Sequence, residues 1–203
     1  MICTDAVQLN PDDFDRAPCF RAMPTTERLA LRRFKPSDRA PFAALNADPE
    51  VMRFIADGRP LSRPASDALL DAIEAHWREH GFGLWCAAPR EDPDRCIGFV
   101  GLAVPSFLPA VLPAVEVGWR LARDAWGQGL ATEGARAALH HAFAELHLRA
   151  VISIIEPDNQ RSIRVAEKLG MRPGRAHVHP GTRRRLVAYE ISSHDAGFPL
   201  EPS

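Results

Sequence analysis

The segment Glu116–Thr132, EVGWRLARDAWGQGLAT, constrains this chain most, because a strand-like run passes through a glycine-rich turn directly into a helical pattern. Gly127 and Gly129 carry no Cβ, so the backbone there can come close to a ligand. The unpaired N–H groups of the first helical turn converge on one point, and the helix dipole adds about half a positive charge to it. Such a turn suits a phosphate or pyrophosphate, although a GxG at a helix start also reads as a plain tight turn. The chain has no GxxxxGK(S/T) and no GxGxxG followed by an acid about 20 residues on, which sets aside nucleotide hydrolysis and dinucleotide redox chemistry.

The flanking elements follow from periodicity. RLALRRF, Arg28 to Phe34, alternates as a strand, and Ser37 and Asp38 after Pro36 open a short helix to about Ala47. Leu69, Leu70, Ile73 and Trp77 recur at helical spacing between Arg63 and His80, with Pro64 near the first turn and Gly81 just beyond the end. Phe82–Ala88 and Arg95–Val104 read as strands of a hairpin, and the Pro-rich loop PSFLPAVLP leads to a third strand, AVEVGWRLA. From Gly129 a long helix carries an apolar stripe through Ala138, Leu139, Ala142, Phe143 and Leu146. Ala150–Ile155 is a fully apolar strand, Asn159–Leu169 a short helix closed by Gly170, and Met171–Val178 and Arg183–Ile191 are two last strands. The expectation is a mixed α/β domain (α+β) over 25–191, with 1–24 a loosely held extension and 192–203 an irregular tail.

Composition excludes several function classes. With 25 basic and 26 acidic side chains and a net charge of -1, no overall field favours nucleic acid or an anionic membrane. The four cysteines, Cys3, Cys19, Cys86 and Cys96, show no short paired spacing and read as reduced thiols of a cytoplasmic protein. No run approaches the roughly 20 apolar residues that span a bilayer, and the acidic N-terminus does not have the form of a secretion signal.

Trp126-Gly127-Gln128-Gly129-Leu130-Ala131 resembles the cofactor motif of the GNAT superfamily of N-acetyltransferases, Gln/Arg-x-x-Gly-x-Gly/Ala, with Trp126 in the first place. That departure is familiar in the branch that acetylates ribosomal-protein N-termini (RimJ/RimL-type). Its sequences look like TERLxLR, WGxGxAxEA and NxxSxxxxEKLGF, matched here in order by TERLALRRF, WGQGLATEGA and NQRSIRVAEKLGM. The resemblance covers about Thr25 to Ile191. It implies a splayed, mostly antiparallel sheet of six to seven strands flanked by about four helices. The strands at Glu116 and Val151 are then the central pair between which the cofactor arm enters.

The same resemblance implies acetyl-CoA as donor, no metal, and an amine acceptor, either a protein N-terminus or a small molecule. It places cofactor contacts at Trp119, Leu121, Trp126, Gly127, Gln128, Gly129, Leu130, Ala131, Thr132 and Asn159. Glu116 is the expected water-relayed base and Ser162 a catalytic hydroxyl, with a bulge at Val117–Trp119 supplying oxyanion N–H groups. The tyrosine that relatives often carry before their EK is Ala166 here, and Tyr189 is the chain's single tyrosine. This leaves a second reading open, a non-catalytic acyl-CoA-binding sensor. His140 and His141 are expected on a solvated helix face, His177 and His179 on one strand face near the acceptor, and Arg183–Arg185 on a solvated edge. Arg123 reads as a phosphate contact or a plain surface residue, and the protein as a monomer or homodimer.

Overall fold

Strands β1 (Leu29–Arg32), β2 (Leu84–Pro89), β3 (Gly98–Ala103), β4 (Glu116–Leu121), β5 (Ala150–Ile155), β6 (Arg172–Val178) and β7 (Arg185–Ser192) form one sheet. Their spatial order is β1-β2-β3-β4-β5-β7-β6. The helices are α1 (Arg39–Ala47), α2 (Pro49–Met52), α3 (Arg63–His80), α4 (Leu130–His140) and α5 (Gln160–Lys168). This computed structural model describes residues 24 and 26–198. The expected extension 1–24 therefore lies, except for Pro24, outside the described residues, as do Cys3, Cys19 and the last five residues of the tail. Neighbouring strands are antiparallel except β4 and β5, which run parallel and meet at one register pair, Glu116 with Ile152. The α+β expectation and the splayed central pair are what the structure contains.

Local chemistry explains the helices that frame the split. At α3, Ser62 Oγ accepts from Ala65 N at 3.4 Å, Pro64 sits in the first turn, and Gly81 ends the helix at φ 70°. Its buried stripe is Leu70, Ile73 and Trp77. α4 starts from Gly129 at φ 81° and buries Leu130, Gly134, Ala135, Ala138 and Leu139. Small residues bring it close to the sheet, since a Cβ on Gly134 would lie 2.8 Å from Val100 Cγ1.

Several expectations are corrected. The long helix from Gly129 does not continue regularly to Leu146; it passes at His141–Glu145 into a π turn that keeps Ala142 and Phe143 buried. His141 is half-buried and edge-on to Trp85 at 5.3 Å, not solvated, and burial lowers its pKa. α2 is a helix the periodicity does not announce. One turn long, it is set by Asp48, whose Oδ1 accepts from Glu50 N at 2.8 Å, and by Pro49 behind it. Ser192 belongs to β7, paired with Ala150, and not to the tail. Arg184 is no solvated edge residue. It pairs with Glu156 at 2.7 Å and donates to Ala56 O at 3.4 Å and Arg53 O at 3.1 Å, tying the β6–β7 turn to the segment after α2.

The sheet leaves no room for a side chain at Gly98. Its φ is 140°, and a Cβ there would overlap the Arg120 carbonyl oxygen on β4. Gly98→Ala is expected to destabilise the fold by about 2 kcal/mol or more, read as a lowered urea midpoint at unchanged slope.

Candidate active site

The site begins where β4 and β5 part. Ile152 N donates to Val115 O at 2.9 Å, and past the Glu116–Ile152 pair the strands diverge. On the other side of β4, Gly118 and Arg120 pair with Gly101 and Phe99 of β3, and Ala122 N donates to Ile97 O at 2.8 Å. Hydrogen-bonding groups alternate along a strand, so the main-chain groups of Trp119 and Leu121 face the split. The β3–β4 register runs unbroken from Gly98–Leu121 to Ala103–Glu116, so the bulge expected at Val117–Trp119 is not there. Strand divergence, not a bulge, frees the backbone.

The split opens into a cleft of about 380 Å³. Trp119 and Leu121 form one wall, Trp126, Gly127, Gly129, Leu130, Ala131 and Thr132 the turn, and Asn159 and Ser162 the opposite side. Trp126 Nε1 donates to Leu121 O at 2.7 Å, and the Arg161 guanidinium lies 4.4 Å over the Trp126 ring. The tryptophan at the first motif position thus pins the turn to the strand and carries a cation at its rim. Gln128 stands apart from the cleft, its Nε2 donating to Asp124 O at 2.7 Å. Asn159 caps α5, its Oδ1 accepting from Ser162 N at 3.2 Å, so one of its polar atoms is already engaged. Arg123 pairs with Asp48 at 3.7 Å.

Three basic residues that sequence reasoning missed, Arg161, Arg164 and Lys168, line the same cleft. Their i, i+3, i+7 spacing puts them on one face of α5, a signal readable in NQRSIRVAEKLG. Ala166, in the place where relatives often have tyrosine, is fully buried and offers the cleft nothing. His177 is partly buried on β6, whereas His179 accepts through Nδ1 from Gly181 N at 3.0 Å and Thr182 N at 3.1 Å. Its ring stacks on Phe107 at 5.7 Å, joining the β6–β7 turn to the Pro-rich loop. Asp38, Cys86 and Cys96 bring donor atoms within 4.8 Å of one another, but Arg32 engages both Asp38 oxygens at 2.6 and 2.9 Å. An arginine so placed neutralises the carboxylate and opposes a cation there.

Glu116 occupies the head of the split. Ile154 N on β5 donates to its Oε1 at 3.2 Å, so the carboxylate takes the place of the strand that has turned away. Burial disfavours its charge and pushes its pKa up to about 7, with the Ile154 N–H opposing in part. A carboxyl of this kind exchanges a proton near neutrality beside an open main-chain edge.

Residues 28–172 match the family model described as an acetyltransferase (GNAT) domain. The chain is 32% identical over 147 residues to protein YkkB of Bacillus subtilis, covering 72% of this chain and 83% of that protein. It is 32% identical over 201 residues to FsC-acetyl coenzyme A-N(2)-transacetylase of Aspergillus fumigatus, covering 86% and 79%. Its fold is similar to the crystal structure of an acetyltransferase from Agrobacterium tumefaciens, with TM-score 0.72 and 26% identity over 84% of this chain and 94% of that one. The chain belongs to the GNAT acetyltransferase family. It is an acetyl-CoA-dependent acyltransferase.

The raised pKa of Glu116 has a sign for stability. An unfolded carboxyl releases its proton near 4.5 while the folded one holds it to about 7, so native stability falls as pH rises across that window. Between pH 5 and pH 8 the native chain is expected to lose about 1–3 kcal/mol more than Glu116→Gln, measured by urea unfolding at both pH values.

Proposed function

We propose that this protein transfers the acetyl group of acetyl-CoA to a primary amine by direct attack of the amine on the thioester. The observation that carries the reading is the half-buried Glu116 carboxyl at the head of the split, hydrogen-bonded to Ile154 N beside the open edge of Trp119. In this reading the pyrophosphate rests on the N–H groups of the Gly127–Ala131 turn. The pantetheine arm pairs with Trp119 and Leu121 as a peptide adds to a strand edge. Glu116 takes the amine proton through water, the free N–H of Trp119 steadies the oxyanion, the C–N bond forms as the C–S bond breaks, and the Ser162 hydroxyl passes a proton to the departing thiolate and regains one from water as Glu116 releases its own. Arg161, Arg164 and Lys168 neutralise cofactor phosphate at the rim.

The relative from Aspergillus fumigatus carries N-acetyl transfer from acetyl-CoA in its name, which supports an amine acceptor here. We assign the chain to the RimJ/RimL-type branch by its three ordered motifs, with a protein N-terminus or a small-molecule amine as acceptor. Cys86 and Cys96 are free thiols, and no helix among the described residues is long and apolar enough to cross a membrane, which supports the cytoplasm as its place. The buried Ala166 favours the sensor as the second reading.

Free-thiol release from acetyl-CoA, followed over a panel of amines and N-terminal peptides, separates the two. Glu116→Gln is expected to lower kcat/KM by about 100-fold or more while acetyl-CoA still binds, and to remove the rise in rate as pH passes about 7. Tight acetyl-CoA binding with no transfer to any amine favours the sensor. Replacing Arg161, Arg164 and Lys168 together by alanine is expected to weaken acetyl-CoA binding by about 10-fold or more and to flatten its salt dependence, read by calorimetry.

A further inference from the structure

β4 sends a second charged side chain to the face that carries Glu116. Residues 116, 118 and 120 alternate onto one side of the strand, and 117, 119 and 121 onto the other. The main chain of Arg120 is engaged by Phe99 on β3, so what this residue brings to the cleft it lines is its side chain. The guanidinium lies 5.0 Å over the Phe99 ring, and Nη1 donates to Asn46 Oδ1 at 2.6 Å. Nε is buried without a hydrogen-bond partner. No carboxylate among the described residues pairs with it, whereas Arg32 holds Asp38 at 2.6 Å and Arg184 holds Glu156 at 2.7 Å.

A half-buried guanidinium with a sheltered Nε and no counter-charge is costly, and desolvation brings this one down to about 10, still protonated at neutral pH. The adjacent Gly118 leaves space in front of it, since a Cβ there would meet nothing within 4 Å. In the acetyl-transfer reading the cofactor pyrophosphate is assigned to the turn before α4, which reaches the shared cleft from the other face of the sheet. α4, whose N-terminus forms the anion turn, packs through Gly134 on Val100, which pairs with Trp119 on the opposite face of the sheet. The turn and Arg120 both line the cleft, but they reach it from opposite faces of the sheet.

We propose that Arg120 receives an anionic group of the acceptor, so that the preferred substrates are amines that also bear a carboxylate. The proposal rests on the acetyl-transfer reading and specifies its substrate class. Glu116 and Arg120 stand four residues apart, about 13 Å along the strand, so the amine and the carboxylate are separated by a chain and not geminal. An arginine fork is suited to such a group because it offers a planar carboxylate two parallel donors.

The test uses linear ω-amino acids from γ-aminobutyrate upward, each against its terminal amide. The quantity read is the ratio of kcat/KM for acid over amide, which cancels general losses of folding or cofactor binding. The native chain is expected to prefer the acid by about 10- to 100-fold, with the longer members favoured. Arg120→Gln abolishes that preference, and Arg120→Lys, which keeps charge without the fork, retains part of it. Asn46→Ala removes the neutral partner and lowers stability, yet keeps the preference. A ratio near one in the native chain, or equal loss of preference in Asn46→Ala and Arg120→Gln, overturns the proposal while leaving the acetyltransferase reading intact. If no amine is acetylated, that reading fails instead. Calorimetry of the same acids and amides against the CoA-saturated protein then decides for Arg120 if the acids bind preferentially and against it if they do not.

Discussion

β4 and β5 are joined in register at one pair, Glu116 with Ile152, and the arrangement of the molecule around its cleft follows from that single junction. A parallel pair needs a crossover, supplied here by α4, which returns the chain over the face holding Val117 and Leu121. Because the strands part after one pair, each loses its neighbour, and unpaired backbone in an interior is costly unless something replaces the ladder. Ile154 N finds that replacement in the Glu116 carboxylate, whose charge burial in turn disfavours. The freed edge and the perturbed carboxyl are thus two results of one divergence.

A second constraint holds the turn in place. The Glu133 carboxylate, in the first turn of α4, accepts from Thr26 Oγ1 at 2.5 Å, Arg28 N at 2.8 Å and Arg28 Nε at 2.7 Å. Burial would raise its pKa, but these donors hold it below the usual value. Arg28 Nη1 also donates to Gln128 O at 2.8 Å, so the start of β1 grips both the helix and the turn. The motifs TERL and ATEG, 105 residues apart between Arg28 and Glu133, are therefore halves of one contact. An isolated surface ion pair contributes little, but one carboxylate receiving several converging donors restricts where the turn can sit.

The sequence made legible whatever depends on local period or local chemistry. The seven strands, the stripes of α3 and α4 and the Asn159 start of α5 each follow from spacing, turn residues and caps. What escaped depends on which remote surface a residue meets. α2 is too short to show a period, His141 turns in to Trp85 where His140 stays exposed, and Arg184 reaches Glu156 where Arg183 and Arg185 stay exposed. Gly118 suggested a bulge because glycine is compatible with one, yet its lack of a side chain serves to leave a hollow on a regular strand. Gln128 sits inside the motif but turns to Asp124, because motif position fixes the backbone of a tight turn and not the direction of each side chain. Arg120 reads as an ordinary charge of an amphipathic strand until Asn46, Phe99 and the lack of an acid partner are seen together.

If Arg120 meets the acceptor as proposed, the alternation of β4 lets one fold keep its donor chemistry while changing acceptors. One face, Val117, Trp119 and Leu121, is bound to α4 and to the anion turn, so a change there disturbs the core and the cofactor turn at once. The other face carries Glu116, Gly118 and Arg120 beneath α1 and the segment after α2, which are held by side-chain contacts from Asn46 and Arg184 instead of by the sheet ladder. On the proposed reading, a substitution at Arg120 alters the charge met by an acceptor without moving Trp119 or the turn, because the strand register to β3 is fixed by main-chain bonds. Under that proposal the acceptor's anionic group and the cofactor turn approach one cleft from opposite faces of a single strand.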